Sequence, residues 1–189
     1  MNGSSPMSGT KPSWKFIKSQ IAHWDQKQLM GLIQDLYALN KANADFLNTR
    51  LLGGAGTSLE PYKNRIQQAV SPKEPWKQDV RLSEGRKAIS EYRKAKGDAH
   101  GLLSLMIHYV RCGNDFTLEF GDIDEPFYDS MCSMVDQFCK LLIKQGDTKL
   151  AEQFVPQLEA EFQRIDGQIG WGYPDEVGDQ LSDLKAHFG

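Results

Sequence analysis

Cysteine is scarce, and its spacing carries no motif. Cys112, Cys132 and Cys139 are the only three. The odd number and the lack of a C-x-x-C exclude a disulfide framework and a zinc knuckle. Cys132 and Cys139 share a helical face and read as buried, reduced thiols of a reducing cytosol. No uncharged apolar run approaches the roughly 18 residues that a membrane helix needs, so no membrane partner is expected. The four histidines, His23, His100, His108 and His187, form neither H-E-x-x-H nor H-x-x-E-H, and no G-x-S-x-G elbow occurs. Gly53-Gly54-Ala55-Gly56-Thr57-Ser58 resembles a phosphate loop only in glycine content. It lacks the lysine before the hydroxyl, and no strand precedes it, so it reads as a helix–helix loop. No repeat at about 34 or 40 residues is visible, which leaves a consensus solenoid unsupported.

What is present is ordinary in amount and distinctive in arrangement. The chain of 189 residues is 40% hydrophobic and 25% charged, with a net charge of −3. That composition excludes collagen-like and wholly disordered chains, and gives no global pull toward nucleic acid or anionic lipid. The segment 1–13 lacks an apolar h-region, so no secretory signal is expected there. Its Gly, Ser and Pro content reads as a flexible tail, with Met7 as an alternative start. Residues 14–189 are expected to form a single helical domain.

Helical periodicity recurs along that domain. Asp25 and Gln28 form a capping box ahead of Leu29, Leu32, Ile33 and Leu36, which share one apolar face. Asn40–Leu52 reads as a more polar helix. Leu59, Tyr62, Ile66, Ala69 and Val70 form the next stripe, stopped by Pro72 and Pro75. Ser83 is expected to cap a helix running to about Lys96. Asp98 caps another, ended by Gly113. Asn114–Gly121 fits a short strand or a helical turn equally. Asp124 caps the longest helix, to Gln145. Its two adjacent apolar stripes mark it as the central helix of the core. Asp147 caps the next, with Leu150, Phe154, Leu158 and Phe162 inward, and Pro156 should kink or split it. Pro174 opens the last. The expected fold is all-α: eight or nine helices in antiparallel hairpins, with an irregular α-solenoid as one form of it.

Charge is segregated. Lys77, Arg81, Arg86, Lys87, Arg93, Lys94 and Lys96 dominate one stretch. Asp115, Glu119, Asp122, Asp124, Glu125, Asp129 and Asp136 follow with no Lys or Arg among them. Three readings compete. The two stretches face each other as structural ion pairs. Or Asp122, Asp124, Glu125 and Asp129 hold a divalent cation, with His108 as a further ligand, although the EF-hand ladder is missing. Or Arg86, Arg93 and Lys94 touch nucleic acid, although no aromatic platform interleaves them and nucleic acid is disfavoured as a partner. Asp124 also has a structural task as a helix N-cap. Cys112 has His108 one turn earlier, a nucleophile–base spacing without a third orienting group.

Ile169-Gly170-Trp171-Gly172-Tyr173-Pro174-Asp175 stands out. Two glycines frame a tryptophan, so the backbone there needs positive φ or a close approach. Trp171 and Tyr173 either plug the core, the default for large aromatics, or anchor a partner.

Arg86-Lys87-Ala88-Ile89, the run Phe116-Thr117-Leu118-Glu119-Phe120-Gly121-Asp122-Ile123-Asp124-Glu125-Pro126-Phe127-Tyr128, and Gly170-Trp171-Gly172-Tyr173 resemble blocks of an uncharacterised bacterial family of small helical proteins. The resemblance spans Trp14 to the last helix. It departs from that family at Pro174, where members often carry histidine. It implies a helical fold and a bacterial cytoplasmic setting, and no activity. With no catalytic constellation in the sequence, and helical hairpins that present grooves for peptides or helices, the expected function is a non-enzymatic interaction or adaptor module without a cofactor. Its protein partner would meet Asp122, Asp124, Glu125 and Asp129 together with Trp171 and Tyr173. A metal-dependent hydrolase or nuclease-like enzyme and a nucleic-acid accessory are the alternatives.

Overall fold

The structure is a computed structural model that describes residues 13–52, 59–95 and 98–189. The expected tail, the Gly53–Ser58 loop and Lys96 fall wholly or almost wholly outside those residues. Among the described residues there are nine helices and no strand. They are α1 (Trp14–Ile21), α2 (Gln26–Leu39), α3 (Lys41–Leu52), α4 (Glu60–Val70), α5 (Leu82–Lys94), α6 (Ala99–Phe120), α7 (Glu125–Gln145), α8 (Thr148–Ile165) and α9 (Tyr173–Phe188). The protein is all-α.

The chain divides into two compact units, one through Ala44 and one from Asp45. In the first, α2 begins with a complete capping box. The Asp25 carboxylate accepts from the Gln28 amide, and the Gln28 side chain accepts from the Asp25 amide. The helix is therefore well started, yet α1 and α2 bury no residue.

The second unit is three helical hairpins, α4–α5, α6–α7 and α8–α9, each packed on itself. The first helices of the hairpins also touch in order, α4 on α6 and α6 on α8, and α7 packs on α9. This is the contact order of stacked hairpins, reached without a sequence repeat. The hub is α6, which meets α4, α5, α7 and α8. The expectation that α7 is central is corrected, because α6 runs further than its sequence suggested.

Gly113 does not end α6. The helix continues through it for 22 residues to Phe120 and stops at Gly121, whose φ is +90°. A Cβ at Gly113 would lie 2.2 Å from Cε of Met131. The glycine lets α7 come close and is not a stop signal. Asn114–Gly121 is correspondingly helix up to Phe120, not strand.

Two other expectations change. Ser83 does not cap α5, which begins at Leu82 after Arg81 and has no side-chain cap. Pro156 lies inside α8 without splitting it. The buried positions of α8 are Ala151, Phe154, Leu158, Glu161 and Ile165. Leu150 and Phe162 are only half-buried. Asp98, Asp124 and Asp147 cap their helices as their spacing predicts.

Candidate functional site: an acidic edge with a raised tryptophan

The connection Gly121–Asp124 turns the chain from α6 into α7. Tyr128, in the first turns of α7, points its hydroxyl back into that connection. The phenolic oxygen lies 2.7 Å from Oγ1 of Thr117, 3.4 Å from the Ile123 amide nitrogen and 3.0 Å from Oδ1 of Asp122. Burial pushes the Tyr128 phenol above its usual range, so it keeps its proton. That proton goes to the Asp122 carboxylate, the charged acceptor, and the Thr117 hydroxyl lies between the Tyr128 oxygen and the Gly121 carbonyl, at 2.7 and 3.2 Å. Asp122 also accepts from the Gly170 amide at 3.4 Å. One carboxylate thus ties the α6–α7 connection to the α8–α9 connection.

Gly170 leads directly to Trp171. Its φ is +63°, the one positive φ of a non-glycine residue among the described residues, and Gly172 follows at +67°. A side chain in this left-handed region is strained by roughly 1–2 kcal/mol. The turn lifts the indole out of the core: Trp171 is 59% exposed. The default expectation of a core plug is corrected. One face of the indole lies on Tyr128, with centroids 6.4 Å apart and planes at 27°. Tyr128 in turn meets Tyr173 at 5.4 Å.

Tyr173 does not belong to this surface. It is 1% exposed and donates its hydroxyl to Oδ1 of Asn114 at 2.8 Å. Its place on the expected docking surface is withdrawn, and it is the anchor of α9 in the core. Asp124 caps α7 through the Phe127 amide at 3.0 Å, while Glu125 and Asp129 are exposed in the first turns of the same helix. The carboxylates therefore sit at the positive end of the α7 dipole, which favours their charge.

The basic stretch does not neutralise them. Among the described residues no ion pair joins 77–94 to 115–136. Arg86 instead donates to Oγ and the carbonyl of Ser130, at 3.0 and 2.6 Å, and lies over the Tyr109 ring. A backbone carbonyl on α7 takes the guanidinium that charge pattern alone would assign to a carboxylate. Arg86 is half-buried there, with its Nε and Nη2 groups committed to Ser130. Arg93 and Lys94 stay exposed in the last turn of α5. Among the described residues no three His, Cys, Asp or Glu side chains gather where they could hold a metal ion.

Glu161 escaped the sequence reading. It is 2% exposed and accepts from Arg111 at 2.7 Å, Arg164 at 2.8 Å and Asn114 at 3.1 Å. Its signal was a carboxylate inside the stripe Ala151, Phe154, Leu158, Ile165, where an uncompensated charge would be prohibitive. Arg164 also pairs with Asp115. Beside this network a cleft of about 580 Å³ crosses the ends of α4, α6 and α8, lined by Gln67, Lys73, Asp115 and Glu119 among others.

Cys112 and His108 are not a catalytic pair. Nε2 of His108 lies 3.2 Å from the Lys63 carbonyl, an acceptor, so that nitrogen carries its hydrogen and is no base toward Cys112. The thiol donates to Gln67 at 3.2 Å, and burial pushes it up to about 12. Comparison with family models, curated proteins and solved structures finds no match for this chain.

Proposed function

We propose that this protein is a non-enzymatic interaction module whose docking surface is the edge formed by Trp171 and the carboxylates of the α6–α7 turn. The observation that carries the reading is Trp171 itself, a large aromatic held exposed by a strained backbone and braced from behind by Tyr128. Strain of this kind persists only where the surroundings enforce it, and it gathers at functional positions. A rigid indole is the residue type that most often anchors an interface.

The neighbouring charge selects the partner. Asp122, Asp124, Glu125 and Asp129 lie within a stretch free of Lys and Arg, and no internal cation pairs with them among the described residues. A segment bearing lysine or arginine is the complementary ligand. Its cation would sit over the outer face of Trp171 and its remaining charge against the carboxylates. Stacked hairpins are a common scaffold for such surfaces.

The test is capture from lysate by wild type and by Trp171→Ala, after circular dichroism shows both to be folded. The reading expects a stoichiometric partner with a basic segment, retained by wild type and lost by the variant. Equal capture by both proteins would remove Trp171 from the interface and the reading with it.

A further inference from the structure

The cleft beside the Glu161 network holds polar groups that the fold leaves without partners. Its walls are parallel helices. Lys63 and Gln67 of α4 meet His108 and Cys112 of α6, and Glu161 and Arg164 of α8 meet Asn114 and Asp115. The numbers rise together along both pairs, so the C-terminal ends of α4, α6 and α8 come together at the cleft. Ser71, the residue after α4, lines it and is 8% exposed. The Ser71 amide donates to the Gln67 carbonyl, and the Ser71 carbonyl accepts from the Gln67 side chain. The Ser71 hydroxyl has no hydrogen-bond partner among the described residues. A polar group this deeply buried normally finds one, and the open space beside it is the cleft.

The charged groups of the lining fall into two sets. Arg164 donates to Glu161 and pairs with Asp115, so these are committed to one another. Lys73, on the chain leaving α4, and Glu119, in the last turn of α6, are exposed and form no ion pair among the described residues. One cation and one anion thus remain, on different walls. A phosphate or other bare anion would meet the Glu119 carboxylate and the negative ends of three helix dipoles. A bare cation would leave Lys73 without a counter-charge, and no three metal-ligating side chains gather among the described residues. A molecule with one ammonium and one carboxylate answers both charges. Its ammonium suits Glu119, where the α6 dipole also favours a positive group. Its carboxylate suits Lys73, and the Ser71 hydroxyl supplies a further donor two residues away. Leu118, 38% exposed in the same lining, offers apolar surface to a side chain. The volume of about 580 Å³ lies within the roughly 300–1,000 Å³ of small-molecule sites.

We infer that this cleft binds a free α-amino acid or short peptide by its two charged ends, with Lys73 and Ser71 on the carboxylate and Glu119 on the ammonium. Isothermal titration calorimetry on the full chain tests this. The probes are leucine and leucyl-leucine, with the N-acetylated and C-amidated forms of each beside them. The expected result is saturable binding of at least one uncapped probe, weakened roughly tenfold by either cap. Leucine bound more tightly assigns the site to amino acids, and leucyl-leucine bound more tightly assigns it to peptides. Lys73→Met should abolish the preference for the free acid over the amide. Glu119→Gln should abolish the preference for the free amine over the acetylated form. Ser71→Ala should weaken the uncapped probe about tenfold. It removes a hydroxyl that no described residue uses, and circular dichroism monitors the fold of all three variants. Failure of both uncapped probes to bind at millimolar concentration would overturn the inference. So would binding indifferent to the caps, or cap preferences that survive in Lys73→Met and Glu119→Gln. The Trp171 reading rests on partner capture and is untouched by any of these outcomes.

Discussion

Trp171 lies nearly parallel to Tyr128, at 6.4 Å, while its own backbone sits at φ +63°. The stack and the strain oppose each other. Tyr128 is fixed at its far end by Thr117, Ile123 and Asp122, so it gives the indole a rigid floor. Asp122 also grips the Gly170 amide, one residue before the strained position. The exposed tryptophan is a product of this frame and not a loose end.

The strain is measurable apart from the stack. Trp171→Ala and Trp171→Gly both delete the indole, but only glycine accepts positive φ without cost. Urea unfolding should find the glycine variant more stable than the alanine variant by about 1 kcal/mol. Equal stabilities would mean that the turn relaxes when the ring is removed.

Glu161 should dominate the response of α8. Glu161→Ala leaves a cavity and an unsatisfied Asn114 donor, and it removes the partner of two arginines. The expected loss is about 3 kcal/mol, moderated because both guanidinium groups are partly in water. Glu161→Leu should lose less, since it continues the apolar stripe and fills the space. Denaturation midpoints of the two variants at a common m-value check the order.

His108 gives the fold a pH response. Burial holds its imidazole below the ordinary 6.5, so the folded state resists a proton that the unfolded state accepts. Stability is complete above pH 6.5 and falls as the pH drops from there toward the lower folded value. His108→Gln keeps a donor for the Lys63 carbonyl and removes the titration. Unfolding curves at pH 7.5 and 5.5 should separate for wild type and draw together for the variant.

The thiols should be inert. Burial pushes Cys112, Cys132 and Cys139 up to about 12. A thiol reagent at mildly alkaline pH should label none in the native protein and all three after denaturation. Rapid native labelling of Cys112 would reopen a nucleophilic role.

Local chemistry was legible in the sequence, and tertiary choices were not. Asp25, Asp98, Asp124 and Asp147 act as caps because a cap needs only its own next three residues. Gly113 looked like a terminator because a stop and a close contact use the same residue, and only the presence of Met131 tells them apart. Glu161 was passed over because the stripe Leu150, Phe154, Leu158 and Phe162 runs beside it, and its neutralising arginines lie on α6 and α8. The segregated charges suggested pairing between acidic and basic stretches. The structure gives Arg86 a carbonyl on α7, which no charge pattern reveals. The exposure of Trp171 follows from a backbone turn that the flanking glycines announce without fixing its direction.

The most direct measurement follows the emission of Trp171 alone, with Trp14, Trp24 and Trp76 replaced by phenylalanine. The protein would be titrated with a lysine- and arginine-rich peptide and, separately, with an acidic peptide of equal length. The account predicts a saturable change in emission with the basic peptide, weakened by salt, and none with the acidic one. Emission indifferent to both peptides, or responsive to the acidic one, would contradict it.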